Sequence, residues 1–238
     1  MVVRAVAFDL GNTLKNYETF PLNWQGFYRN AIVAILRNIS INVTPERIQT
    51  GDTILLKYNT RVNPRDYEVS SQTIFIELFH AWGVSDINKV ETAERVFASY
   101  FTRNAKLYPE TVPVLRELKK KDFKVGILTN VAYGMPGEYL LKDTEEINQY
   151  IDVFLTSIEV GFRKPHPKGY QELVQKLGVS FSECLFVGDE DVDIIGANRV
   201  GMASVLIDRQ KSNVDFGQKY SIASLNELLA LLCQISYC

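Results

Sequence analysis

Five short runs of aliphatic and β-branched residues, each stopping on a polar one, constrain this chain more than any other feature. They are Val2–Phe8 before Asp9, Lys124–Leu128 before Thr129, Val153–Leu155 before Thr156, Cys184–Val187 before Gly188-Asp189, and Ala203–Ile207 before Asp208. Continuous rather than alternating apolar character means a strand covered on both faces, the condition of a parallel sheet between helix layers. Helical periodicity fills the intervals. Pro113–Lys121 places Val114, Leu115 and Leu118 on one side and ends in a lysine run that suits a helix C-terminus. Tyr170–Leu177 repeats the pattern and stops at Gly178, and Ser224-Leu225-Asn226-Glu227 reads as a capping box opening a last helix. From residue 109 onward strand and helix alternate, which predicts an α/β fold with a Rossmann-like, doubly wound parallel sheet.

Residues 15–108 have a different texture, with almost no strand signal. Thr44-Pro45 reads as the N-cap and first residue of a helix. Ser71–Trp82 carries Ile74, Phe75, Leu78 and Phe79 on one face and ends at Gly83; Ser85-Asp86 starts a further helix running through Phe101. The segment is too long to be a loop. The expected organisation is therefore a core made of residues 1–14 and 109–238, interrupted by an all-helical cap domain over 15–108.

Net charge is −2, so the strong basic excess of a nucleic-acid binder is missing and no nucleic-acid partner is expected. The longest apolar run near the C-terminus, Leu228–Cys233, is far below the roughly 20 residues of a membrane helix. The N-terminal apolar run is too short for a secretory signal, so the sequons at Asn38 and Asn42 read as chance matches. Cys184, Cys233 and Cys238 have no repeated spacing, which points to free thiols in a reducing, cytoplasmic compartment. No membrane partner is expected, and oligomeric state is not legible.

In an open parallel sheet, ligands bind at the carboxyl ends of the strands. The residues expected there are Asp9 with Leu10-Gly11-Asn12-Thr13, Thr129-Asn130, and Gly188-Asp189 with Asp191 and Asp193; Gly161–Pro167, containing Lys164, precedes the fourth strand. Carboxylates gathered at one point repel unless a cation joins them, and hard oxygen donors suit Mg²⁺. A carboxylate such as Asp9 is then able to attack phosphorus while Mg²⁺ and Lys164 neutralise a phosphate.

At this point the chain resembles the haloacid dehalogenase superfamily of hydrolases, in the branch with a helical cap inserted after the first motif. The resemblance rests on four motifs in order: Phe8-Asp9-Leu10-Gly11-Asn12-Thr13-Leu14; Ile127-Leu128-Thr129-Asn130; Gly161 through Lys164-Pro165 to Pro167; and Phe186-Val187-Gly188-Asp189 with Asp193. It spans essentially the whole chain. It implies that Asp9 is the nucleophile that becomes an aspartyl-phosphate, that Thr129 hydrogen-bonds the phosphoryl group, and that Lys164 holds nucleophile and phosphate together. It implies Mg²⁺ on Asp9, Asp189 and Asp193, the last as ligand or through water, and on the backbone carbonyl of Gly11. Gly11, Asn12 and Asn130 become candidate substrate contacts, and the implied substrate is a small phosphorylated metabolite.

One position departs from the family pattern. Phosphatases of this family usually carry an acid/base Asp two residues after the nucleophile, where this chain has Gly11. General acid–base help is typically worth about 10²–10⁴-fold, so its loss slows turnover without abolishing it. The resemblance permits activity with glycine here, and Tyr17, Glu18, Glu190 and Asp191 are further candidates for the proton. Two other readings stay open: a metal-independent dehalogenase-type hydrolase, and a degenerate binding protein. The retained Gly188-Asp189 pair favours the metal enzyme, because a carboxylate beside Asp9 is costly without a cation. His80 and His166 read as rim and loop residues. Trp24, Phe27, Tyr28, Tyr58, Arg61, Arg65 and Trp82 are candidate substrate contacts in the cap, against the alternative that the aromatics simply pack its core.

Overall fold

The computed structural model describes residues 2–17, 23–102, 105–142 and 144–236. Its strands are β1 (Ala5–Phe8), β2 (Lys15–Tyr17), β3 (Ala105–Leu107), β4 (Lys124–Thr129), β5 (Val153–Thr156), β6 (Cys184–Gly188), β7 (Ala203–Ile207) and β8 (Tyr220–Ile222). Its helices are α1 (Tyr28–Asn38), α2 (Pro45–Tyr58), α3 (Ser71–Ala81), α4 (Val90–Thr102), α5 (Thr111–Lys120), α6 (Glu138–Lys142), α7 (Glu145–Asn148), α8 (Ser157–Val160), α9 (Pro167–Leu177), α10 (Asp191–Arg199) and α11 (Leu225–Ser236). The chain divides into two compact units. One comprises Met1–Asn16, Lys106–Asn130 and Thr144–Cys238, the other Tyr17–Ala105 and Val131–Asp143.

The first unit is built on a six-stranded sheet in the order β5-β4-β1-β6-β7-β8, with parallel pairing. Every residue of β1, β6 and β7 is buried, as continuous apolar runs require. At Gly126 on β4 an added Cβ would lie 2.8 Å from a Leu173 methyl, so the missing side chain lets α9 settle close on the sheet. Helix α9 ends at Gly178, whose φ of 69° is the left-handed stop expected from sequence. It begins earlier than expected, at Pro167, because the imidazole of His166 accepts the Lys168 amide at 3.3 Å. His166 is thus a helix cap, stacked on Phe162 with ring centroids 4.0 Å apart, rather than a free loop residue. The capping bond of α11 is also shifted: Glu227 accepts from the Ala223 amide at 3.0 Å, one residue before Ser224.

Three strands had no clear signature. β8 is an edge strand of three residues, only one of them buried. β2 and β3, also three residues each, pair in a separate ribbon and fall where the chain passes between the units. Strands this short carry too few residues for a period to register.

The second unit is helical. Its core gathers Tyr28, Ile32 and Ile35 of α1, Leu55 of α2, Phe75, Leu78 and Phe79 of α3, and Phe97 and Phe101 of α4. Helix α2 opens as expected, with the Thr44 hydroxyl accepting the Arg47 amide at 3.2 Å. Trp24 stacks on Phe101 at 4.1 Å, and the buried Trp82 donates to the Arg47 carbonyl at 2.8 Å. Phe27 and Tyr58 pack against the same cluster, so the aromatic candidates serve packing. Arg65 donates to the Tyr58 carbonyl at 3.0 Å. The unit also takes in Val131–Asp143, a stretch that sequence alone places in the core. The reason is Tyr133, which packs on Phe97 at 5.1 Å and hydrogen-bonds the buried Tyr28 hydroxyl. That hydroxyl also accepts from Asn59 at 2.7 Å. Among the described residues no helix is long and apolar enough to cross a membrane.

Candidate active site

Three neighbouring strands deliver the reactive groups. β4, β1 and β6 lie side by side, and their carboxyl ends carry Thr129, Asp9 and Gly188-Asp189. The register sets Phe8 beside both Ile127 and Val187. Asp9 is therefore the first residue beyond the paired strand, and its amide donates to the Val187 carbonyl at 2.9 Å. Parallel strands all leave the sheet at the same edge, which is why motifs far apart in sequence meet here.

Lys164 ties the cluster together. It lies between α8 and α9, and its ammonium donates to Asp9 Oδ1 at 2.5 Å and to Asp193 Oδ1 at 2.6 Å. Its side chain is 3% exposed. Burial by itself would lower the lysine pKa, but the charges of Asp193 and Asp9 outweigh it and hold the pKa above the ordinary value. Lys164 is thus a permanent cation. The Phe186 ring lies 5.5 Å from the ammonium. Asn130 grips the Lys164 backbone, donating to its carbonyl at 3.2 Å and accepting its amide at 2.8 Å. The amide expected to touch substrate is engaged with the lysine loop.

Asp193 is locked from several sides. It opens α10 in a reciprocal capping box with Glu190, its Oδ2 accepting the Glu190 amide at 3.1 Å. The Tyr170 hydroxyl from α9 donates to the carbonyls of Val192 and Asp193 at 3.2 and 3.1 Å. A Cβ on Gly188 would fall 2.3 Å from Asp193 Oδ2 and 2.4 Å from its Cβ and Cγ, so only glycine leaves room for this carboxylate. Thr13, fully buried, donates to Asp189 Oδ1 at 3.4 Å. Thr13, Tyr170 and Gly188 were not singled out for these roles from sequence. Thr13 and Gly188 sit inside motifs, whereas nothing local marks Tyr170.

Asp9, Asp189 and Asp193 each present an oxygen, and the three atoms lie within 4.8 Å of one another. Three carboxylates thus face one ammonium. Burial, with the charges of Asp9 and Asp193, pushes Asp189 up to about 8. Burial also raises Asp193 to about 7, against the pull of Lys164 and with the push of Asp9. An all-oxygen donor set short of positive charge fits a hard divalent cation.

The other expected residues are placed as follows. Gly11 forms a single bridge with Lys15 in the loop after β1, and Asn12 sits in the left-handed region at φ 52°. Glu190 is committed to the α10 cap, and the exposed Asp191 accepts the Val192 amide at 2.7 Å. Glu18 and the side chain of Tyr17 lie outside the described residues, as does Cys238. His80 is exposed on α3.

A family model for haloacid dehalogenase-like hydrolases matches residues 3–201. A glyceraldehyde 3-phosphate phosphatase of Methanopyrus kandleri is 31% identical over 214 residues, covering 88% of this chain and 86% of that protein. Among solved structures, a HAD phosphatase from Thermococcus onnurineus superposes with a TM-score of 0.67 at 27% identity, covering 97% of this chain and 98% of the other. A 2-haloacid dehalogenase from Pseudomonas syringae pv. Tomato superposes at 0.69 with 21% identity, covering 98% and 100%, and shares the fold.

Proposed function

Since this chain belongs to the haloacid dehalogenase-like hydrolases, we propose that it is a Mg²⁺-dependent phosphatase acting on a small phosphate monoester. A phosphorylated three-carbon aldehyde is the first substrate to try, given the Methanopyrus relative. The observation that carries the reading is the cluster of Asp9, Asp189 and Asp193 around the buried Lys164 ammonium.

Asp9 is the nucleophile, with the Lys164 ammonium aiming its carboxylate through a 2.5 Å hydrogen bond. The carboxylate oxygen attacks phosphorus, the bond to the leaving oxygen breaks, and an aspartyl-phosphate forms. Water then attacks that phosphorus, releasing phosphate and restoring the carboxylate. The charge of Lys164 and the Thr129 hydroxyl at the end of β4 stabilise the transferring oxygens. Asp9, Asp189, Asp193 and the Gly11 carbonyl would hold Mg²⁺, which supplies charge neutralisation to the phosphate. Three carboxylates also count against a metal-free dehalogenase, which needs only the nucleophile.

Gly11 offers no proton to the leaving group. Esters with poor leaving groups should therefore react more slowly than p-nitrophenyl phosphate by a factor approaching the roughly 10²–10⁴ of general acid catalysis. The direct test is p-nitrophenyl phosphate hydrolysis with Mg²⁺, with EDTA, and by Asp9→Asn. Turnover that needs Mg²⁺ and vanishes in the variant is expected; full activity of Asp9→Asn refutes the mechanism.

A further inference from the structure

One guanidinium collects the backbone of the loop that follows the nucleophile. Arg209, just beyond β7, donates through Nε to the Asn12 carbonyl at 3.1 Å and through Nη2 to the Thr13 carbonyl at 2.8 Å. Its Nη1 donates to Glu110 at 2.6 Å, and its Cζ lies 3.4 Å from the centre of the Tyr108 ring. The side chain is 19% exposed. The ion pair keeps Glu110 below the usual carboxylate range although burial alone would raise it. The next carbonyl, of Leu14, accepts from the Tyr108 amide at 3.1 Å and the Thr111 hydroxyl at 2.7 Å. Three successive carbonyls of the loop are thus held, two of them by Arg209.

We propose that Arg209 is a positioning residue of this site: it fixes the Gly11–Thr13 backbone so that Thr13 stays on Asp189 and the metal-binding cluster keeps its shape. The loop needs such a clamp. Asn12 is in the left-handed region at φ 52°, which asparagine adopts more readily than most other residues with a side chain, so the turn is locally permitted but its outward carbonyls still need partners. The amides of Leu14 and Lys15 both turn inward to the Leu10 carbonyl, and the outward carbonyls of Asn12 and Thr13 are met by one planar fork. Glu110 and Tyr108 orient that fork. A lysine, with a point charge on a flexible stem, does not reproduce two carbonyl bonds, a carboxylate bond and a ring contact together. Sequence gives no hint of this, because Arg209 and Asn12 are 197 positions apart.

The effect on turnover rests on the phosphatase reading; the clamp itself does not. The test compares wild type, Arg209→Ala and Arg209→Lys by three measurements. They are amide hydrogen exchange of the Leu10–Lys15 segment without metal, calorimetric titration with Mg²⁺ alone, and kcat and KM on p-nitrophenyl phosphate. Arg209→Ala should speed exchange in that segment, weaken Mg²⁺ binding roughly 10-fold or more, and lower kcat by a similar factor with KM little changed. Arg209→Lys should fall between, and it decides the matter in the same way if the alanine variant does not fold. Unchanged exchange, or faster exchange with unchanged Mg²⁺ affinity, overturns the proposal. Mg²⁺ binding without turnover in wild type refutes the phosphatase reading instead, and exchange and binding still judge Arg209. A wild-type chain that takes up no Mg²⁺ refutes the metal reading, and metal-free exchange of the Leu10–Lys15 segment then decides on Arg209 by itself.

Discussion

Gly188→Ala tests whether the fourth motif keeps glycine for space rather than for backbone freedom. The new Cβ would lie 2.3–2.4 Å from Asp193 Oδ2, Cβ and Cγ, where ordinary contact starts at 3.4 Å. Two of these are stem atoms close to the helix backbone, so the clash is not relieved by swinging a flexible tip. Asp193 is 1% exposed and must move by about 1 Å, which takes its 2.6 Å bond to Lys164 beyond hydrogen-bonding range. Overpacking together with the lost charged hydrogen bond should cost about 3–6 kcal/mol. A displacement of that size beside the nucleophile's partner lysine should lower kcat/KM by about 100-fold. Gly178→Ala is the control: its φ of 69° is left-handed but an added Cβ meets nothing within 4 Å, so about 1–2 kcal/mol of backbone strain is expected, with activity unchanged. Urea unfolding and p-nitrophenyl phosphate kinetics on both variants decide it. Gly188→Ala no less stable than Gly178→Ala, and as active as wild type, refutes the steric argument.

Metal and pH should be linked through the acid cluster. Asp189 and Asp193 sit near 8 and 7 in the fold, above the roughly 3.9 of an unfolded aspartate. Between those limits the folded chain holds protons that the unfolded chain has lost, so metal-free stability falls as pH rises from about 4 towards 7–8 and levels off above, by up to about 1.4 kcal/mol per pH unit for each proton. Mg²⁺ binds the ionised carboxylates, so its stabilising shift in Tm should be larger at pH 8 than at pH 6; a pH-independent shift contradicts this. Cys184 is buried and its thiol is pushed up to about 12 by that burial, whereas Cys233 is exposed. A thiol reagent at pH 8 should modify Cys233 in the folded chain and Cys184 only on unfolding, as read by peptide mass; rapid modification of Cys184 speaks against the packed core.

Much of the sheet and the site was open to sequence reading. A strand buried on both faces must be apolar throughout, so the runs ending at Phe8, Leu128, Leu155, Val187 and Ile207 mark the five long strands, and the polar residues after three of them, Asp9, Thr129 and Gly188-Asp189, name site candidates. Local rules also placed helix ends such as Thr44-Pro45 and Gly178, because capping bonds span only a few residues. Those signals by themselves determined the fold class and brought Asp9, Lys164, Asp189 and Asp193 into one argument. Tertiary structure alone decided which partners each group finds. Asn130 turns to the Lys164 backbone, Tyr170 braces the start of α10, Val131–Asp143 joins the helical unit, and Arg209 closes on a loop at the other end of the chain. The physical reason is range: periodicity and capping are written by neighbours within a turn or two, whereas these contacts exist only once the parallel sheet has brought distant strand ends to one edge.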